Sequence, residues 1–129
     1  MNQLDPEVLA TFQEEAAERL ATMEDGLLLL EREGGQNPST MREIFRDAHS
    51  LKAAANLLGF RGVELMAHQM ENTFDLMRRG SLPVDDGLYT LLLGGVDALR
   101  ALVGNPGAEP GVAVQDTLRA LRALLIRHG

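Results

Sequence analysis

The chain has no cysteine, no tryptophan, one tyrosine and, among twelve basic residues, a single lysine, Lys52. Without cysteine there is no disulfide framework, no thiolate nucleophile and no cysteine-based zinc site. With no Trp and only four Phe, the core has to be aliphatic, built from Leu, Ala, Val and Met. No uninterrupted apolar run exceeds four residues, as in Leu27 to Leu30, far short of the roughly 20 that cross a bilayer. Met1-Asn2-Gln3-Leu4-Asp5 has no basic stretch leading into an apolar one, so no secretory signal is expected. With cysteine absent as well, a cytoplasmic location is the expectation, with no membrane partner. Basic residues are outnumbered, 12 against 19 acidic, for a net charge of −7. Nucleic acid is an unsuitable partner for such a surface, because phosphate binding needs a basic face.

What remains is a chain of 129 residues, one domain's worth, long enough to bury roughly two-thirds of its unfolded surface. Gly and Pro interrupt it at Gly34 to Pro38, Gly59 to Gly62, Gly80 to Pro83 and Gly104 to Gly111, as helix stops and turns do. The five segments so defined all carry a helical period. Leu9, Phe12, Ala16, Leu20, Met23, Leu27 and Leu30 form one stripe, opened by an Asp5-Pro6 cap and closed at Gly34. The second helix is expected to open at Ser39 or Thr40, with Glu43 at capping-box spacing from Thr40. The third carries Val63, Met66, Ala67, Met70, Phe74 and Met77. The fourth starts near Asp85 and carries Leu88, Leu91, Leu92, Val96, Leu99 and Leu102, with Gly94-Gly95 inside it as a site of close helix approach. The fifth carries Val114, Leu118, Leu121 and Leu125. Short connections between long amphipathic helices imply antiparallel neighbours. The expected fold is therefore all-α: an antiparallel up-down four-helix bundle over residues 1–103, a Gly/Pro-rich linker over 104–112, and a fifth, C-terminal helix over 113–129. That last helix either packs on the bundle or leads to further domains.

The second helix carries polar residues that a core does not explain. Projected at 100° per residue, Met41, Ile44, Ala48, Leu51, Ala55 and Leu58 face inward, while Arg42, Arg46, His49, Lys52, Ala53 and Asn56 share a flank. His49, Lys52, Ala53 and Asn56 are neighbours at three- and four-residue steps. On the third helix, Glu64, His68, Glu71 and Asp75 form a matching flank. Residues 49 and 71 are each about ten positions from the intervening turn, so an antiparallel pair sets His49 level with Glu71, with His68 close by. A neutral imidazole is a nucleophile near neutral pH. A carboxylate on one ring nitrogen fixes its tautomer and stabilises positive charge on the ring, as Asp does in a catalytic triad. Lys52, one turn away, offers a charge for phosphoryl oxygens. The same residues leave two other readings open. His49, His68 and Glu71 are three potential metal ligands, although their order reverses the Glu-x-x-His of di-metal bundles and they lie off the core stripe. A non-catalytic docking or dimerisation bundle is the other.

The stretch A-H-S-L-K-A-A-A-N-L-L-G-F from Ala48 resembles the histidine phosphotransfer (HPt) signature H-S-L-K-G-x-A-x-x-x-G. The stretch L-M-A-H-Q-M-E-N-T-F-D-L-M-R-R-G from Leu65 is similar to the H-x-x-E-x-x-x-D segment of the N-terminal HPt domain of CheA-type chemotaxis histidine kinases, and F-Q-E-E-A-A-E-R-L from Phe12 also looks CheA-like. The resemblance covers residues from about 5 to 103. It implies that His49 accepts a phosphoryl group, that Glu71 orients and activates it, that Lys52 contacts the phosphoryl group and that His68 flanks the site. It further implies a phosphorelay in a two-component, chemotaxis-like pathway. An ATP-bound histidine kinase domain would be the donor and an Asp on a response regulator receiver domain the acceptor. ATP and Mg²⁺ would belong to those partners, leaving this domain with no cofactor or metal and no kinase activity of its own, as part of a CheA-type kinase. Ala53 stands where the signature has Gly.

Overall fold

The computed structural model describes residues 4–35 and 37–129. Residues 1–3, counted above in the leader and the bundle, and Gln36, counted in the first break, lie outside the described residues. The described chain is all helix and turn: α1 (Pro6–Arg32), α2 (Pro38–Leu58), α3 (Arg61–Arg78), α4 (Asp86–Gly104) and α5 (Val112–His128). The first four stand in a square. α1 neighbours α2 and α4, α3 neighbours α2 and α4, and among the described residues the backbones of the diagonal pairs stay apart. α5 lies outside the square, across α3 and α4. Its Leu121 is fully buried, and Val114, Leu118, Leu124 and Leu125 cover the core edge.

Helix starts follow from short polar side chains that satisfy free backbone donors. The Asp5 carboxylate accepts from the Glu7 N–H at 2.8 Å, and Asp85 accepts from the Leu88 N–H at 2.9 Å. α2 departs from the sequence expectation. Its N-cap is Asn37, whose side chain accepts from the Thr40 N–H at 3.0 Å, and Pro38 is already helical. Proline's fixed φ suits a first helical position, so Ser39, Thr40 and Glu43 belong to the helix and form no capping box. α3 also begins earlier than expected, at Arg61, so the turn from α2 is only Gly59-Phe60. Gly59 has φ +77°, a left-handed value that favours glycine at a helix end. The Phe60 N–H closes the turn by donating to the Ala55 carbonyl at 2.9 Å. Phe60 then packs its ring 5.0 Å from that of Phe12 on α1.

The core is the aliphatic set anticipated from composition: Leu20, Met23, Leu27 and Leu30 meet Ile44, Leu51, Met66, Met70, Leu92 and Leu99. Leu9, expected in the stripe, is only half-buried. α4 is long and apolar enough to cross a membrane by length and composition, with mean hydropathy 1.3. It is instead the core helix of the bundle, with half of that stretch buried. Of its glycine pair, only Gly95 marks a close approach: a Cβ there would lie 2.5 Å from the Met70 sulfur, whereas Gly94 faces open space. A second close approach is at Gly26, where a Cβ would lie 2.5 Å from Ile44 Cγ2 on α2.

Candidate functional site

The short Gly59-Phe60 turn makes α2 and α3 close antiparallel neighbours, and their polar flanks meet along one seam. At the end near the turn, the Asn56 side-chain amide donates to Glu64 at 2.7 Å. Two turns further along, His49 Nδ1 lies 2.5 Å from Glu71 Oε2. Lys52 Nζ donates to the other oxygen, Oε1, at 2.6 Å. One carboxylate is thus shared by the imidazole and the lysine.

Burial is unequal across this trio. The His49 side chain is 58% exposed, that of Lys52 26% and that of Glu71 only 9%. The sequence projection placed Glu71 on a surface flank. Instead it sits under the seam, because α2 closes over it. Burial alone would raise the Glu71 carboxyl. Hydrogen bonds from Lys52 and His49, with their charges, outweigh that and hold the group below its usual range. Glu71 is therefore a carboxylate at neutral pH, and the proton in its contact with the ring belongs to Nδ1. Nε2 then carries the free lone pair. Among the described residues Nε2 has no hydrogen-bond partner, and the ring stands in solvent. Ala53, one turn after His49, is exposed and leaves that side of the ring open.

Of the four residues singled out in the sequence, the structure joins His49, Lys52 and Glu71. It does not join His68, which is exposed one turn before Glu71 on α3. Among the described residues no hydrogen bond or ion pair ties it to the other three. Asp75, on the same flank, is taken by Arg78 at 2.5 Å and Arg79 at 3.1 Å. Arg78 also lies over the Phe45 ring, 5.1 Å from its centroid, so the two arginines serve α3 and its neighbour as well as the helix end. No three His, Asp or Glu side chains among the described residues are grouped as a metal site requires. Sequence reasoning missed Asp47. It lies on the other side of α2's apolar stripe, facing α1 in a polar cleft with Glu15, Glu18, Arg19 and Thr22. Its signal was its place beside Ala48 and three residues after Ile44, at the edge of the core face.

Comparison with known proteins bears on the family and the fold. The family model of the Hpt domain matches residues 7–102. The chemotaxis protein CheA of Listeria monocytogenes is 33% identical over 120 residues, covering 92% of this chain and 19% of that protein. The chain thus spans about a fifth of the length of this relative. The crystal structure of the phosphorylated P1 domain of CheA3 in complex with CheY6 from R. sphaeroides superposes with a TM-score of 0.82 at 28% identity, covering 95% of this chain and 98% of that one. The CheA phosphotransferase domain from Thermotoga maritima superposes with a TM-score of 0.74 at 28% identity, over 82% of this chain and 100% of that one. Coverage of 95% reaches into α5, which lies beyond the family match.

Proposed function

The chain belongs to the Hpt domain family, and on that premise we propose that His49 carries a phosphoryl group between a kinase and a response regulator. The chain is a phosphotransfer domain and not itself a kinase. The observation that carries the proposal is the contact of His49 Nδ1 with the buried Glu71 carboxylate, made by a ring that is otherwise exposed. Nε2 attacks the γ-phosphorus of ATP bound to a histidine kinase catalytic domain. The N–P bond forms, the bond from phosphorus to the bridging oxygen of ADP breaks, and the ring gains positive charge. Glu71, accepting from Nδ1–H, stabilises that charge. In the second transfer an aspartate carboxylate of a receiver domain attacks phosphorus, the N–P bond breaks, and the ring returns to the neutral tautomer that Glu71 selects.

Lys52 holds Glu71 charged and in place, so its part is to keep the carboxylate an acceptor. His68, exposed one turn before Glu71 on α3, bonds to none of the three among the described residues and stands on the side from which a partner would approach. ATP and Mg²⁺ are supplied by the kinase and receiver domains. Similarity to chemotaxis CheA proteins supports reading the chain as the phosphotransfer part of a longer CheA-type kinase that acts in a chemotaxis pathway in the cytoplasm. Ala53, in place of the signature glycine, adds one methyl beside the ring and leaves it accessible. The test is incubation with a CheA-type kinase domain and labelled ATP. Acid-labile label is expected on the wild type and none on His49→Gln. Undiminished label on the variant would refute the assignment.

A further inference from the structure

Resting on that reading, we propose that Arg46 binds the oxygens of the phosphoryl group at His49. A phosphoryl group on Nε2 brings about two negative charges to the surface, and a permanent cation within reach stabilises both its arrival and its departure. Lys52 is constrained. One of its three ammonium N–H groups donates to Glu71 Oε1 at 2.6 Å, and any reach towards the phosphoryl group is confined to positions that keep this bond to a carboxylate only 9% exposed. Leaving such a group unpaired is costly. His68 has no permanent charge.

Arg46 satisfies the requirement. It lies one turn before His49 on the same flank of α2, at i and i+3, where side chains are neighbours about 5–6 Å apart at Cβ. It is exposed, and among the described residues it makes no hydrogen bond or ion pair, although Glu43 and Asp47 stand close on its own helix. Its planar fork matches two phosphoryl oxygens at once. Arg42 continues the flank but lies seven residues from His49, about 10 Å along the axis, too far to share the group. The ligand chemistry, phosphoryl oxygens, is the same whether the group comes from ATP or from a small donor. A contact with the kinase domain's surface would matter only for the first.

The experiment compares wild type, Arg46→Gln, Arg46→Lys and Arg42→Gln, each checked for folding by circular dichroism. Two donors are used, a CheA-type kinase domain with ATP, and phosphoramidate. Arg46→Gln is expected to slow phosphorylation of His49 by at least about tenfold with both donors, with partial rescue in Arg46→Lys. The ³¹P resonance of phospho-His49 should shift in Arg46→Gln and not in Arg42→Gln. Wild-type rates and an unshifted resonance in Arg46→Gln would overturn the proposal. So would a loss confined to the kinase reaction, which would assign Arg46 to partner docking. Label that persists on His49→Gln would instead overturn the phosphorylation site itself.

Discussion

Asp47 offers a test of the electrostatics of the α1–α2 seam. Its Oδ2 is buried without a hydrogen-bond partner. Desolvation by burial, with the charge of Glu43 added, raises its pKa from 3.8 to about 6, against the opposing pull of Arg19 and Arg46. A carboxyl with a higher pKa in the folded chain binds its proton more tightly when folded. It therefore adds stability as pH falls from above about 6 towards 3.8, and at neutral pH its charge is a cost. At about 1.4 kcal/mol per pKa unit the full cost is about 3 kcal/mol. Because the side chain keeps some contact with solvent, screening reduces the expectation to about 1–2 kcal/mol. Asp47→Asn keeps the shape and removes the charge. In urea unfolding at pH 8 the variant should be more stable than wild type by that amount, equivalent to about 3–8 °C in the melting temperature. At pH 4, where the folded wild type has taken up its proton, most of the gain should vanish. A gain of equal size at both pH values would show that packing and not charge is responsible. A loss at pH 8 would refute the reasoning outright.

Lys52→Met should move the Glu71 carboxyl upward, because burial, the largest single influence on it, would lose its main opponent. A ¹³C NMR titration of that carboxyl reads this directly, and an unchanged midpoint would mean that Lys52 is not what holds it down. The wild-type carboxyl, held low, contributes stability that is present above its ordinary 4.5 and lost as pH falls through the folded value; Lys52→Met should blunt that acid loss. Gly26→Ala should destabilise by about 1–3 kcal/mol, since the new Cβ would meet Ile44 Cγ2, which belongs to a β-branched side chain with little rotamer freedom in a helix. Gly94→Ala, with nothing within 4 Å, should stabilise by up to about 1 kcal/mol. Thermal melts of the two variants should move in opposite directions.

The helices were legible because stripes such as Met23, Leu27 and Leu30 and breaks such as Gly59 act locally, and each reports its own turn of chain. Local reading failed where a residue had two admissible roles. Pro38 was assigned to a turn although it equally starts a helix, and Asn37, one residue earlier, is the cap that decides between them. Gly62 looked like part of a turn, yet glycine there lets Leu102 of α4 come close: a Cβ would sit 3.1 Å from Leu102 Cδ2. That reason is tertiary and leaves no trace in the nearby sequence.

The site divides along the same line. The level of His49 against Glu71 followed from counting residues across a short turn, because an antiparallel pair conserves height. The partition of charge did not follow. A helical projection gives the face of Lys52 but cannot choose between an incoming phosphoryl group and a carboxylate on the next helix. The bond that Lys52 makes to Glu71 follows from the depth of that carboxylate, which depends on how closely α2 and α3 approach. Once a buried carboxylate must be satisfied, the nearest ammonium is drawn to it. Arg46 is exposed and, among the described residues, makes no hydrogen bond or ion pair, although it acts on the Asp47 carboxyl from nearby. The −7 of the whole chain conceals this ordering. The lone lysine, the most conspicuous residue in the composition, bonds to the carboxylate, and among the described residues an arginine one turn from the histidine on its other side is left without an ion pair.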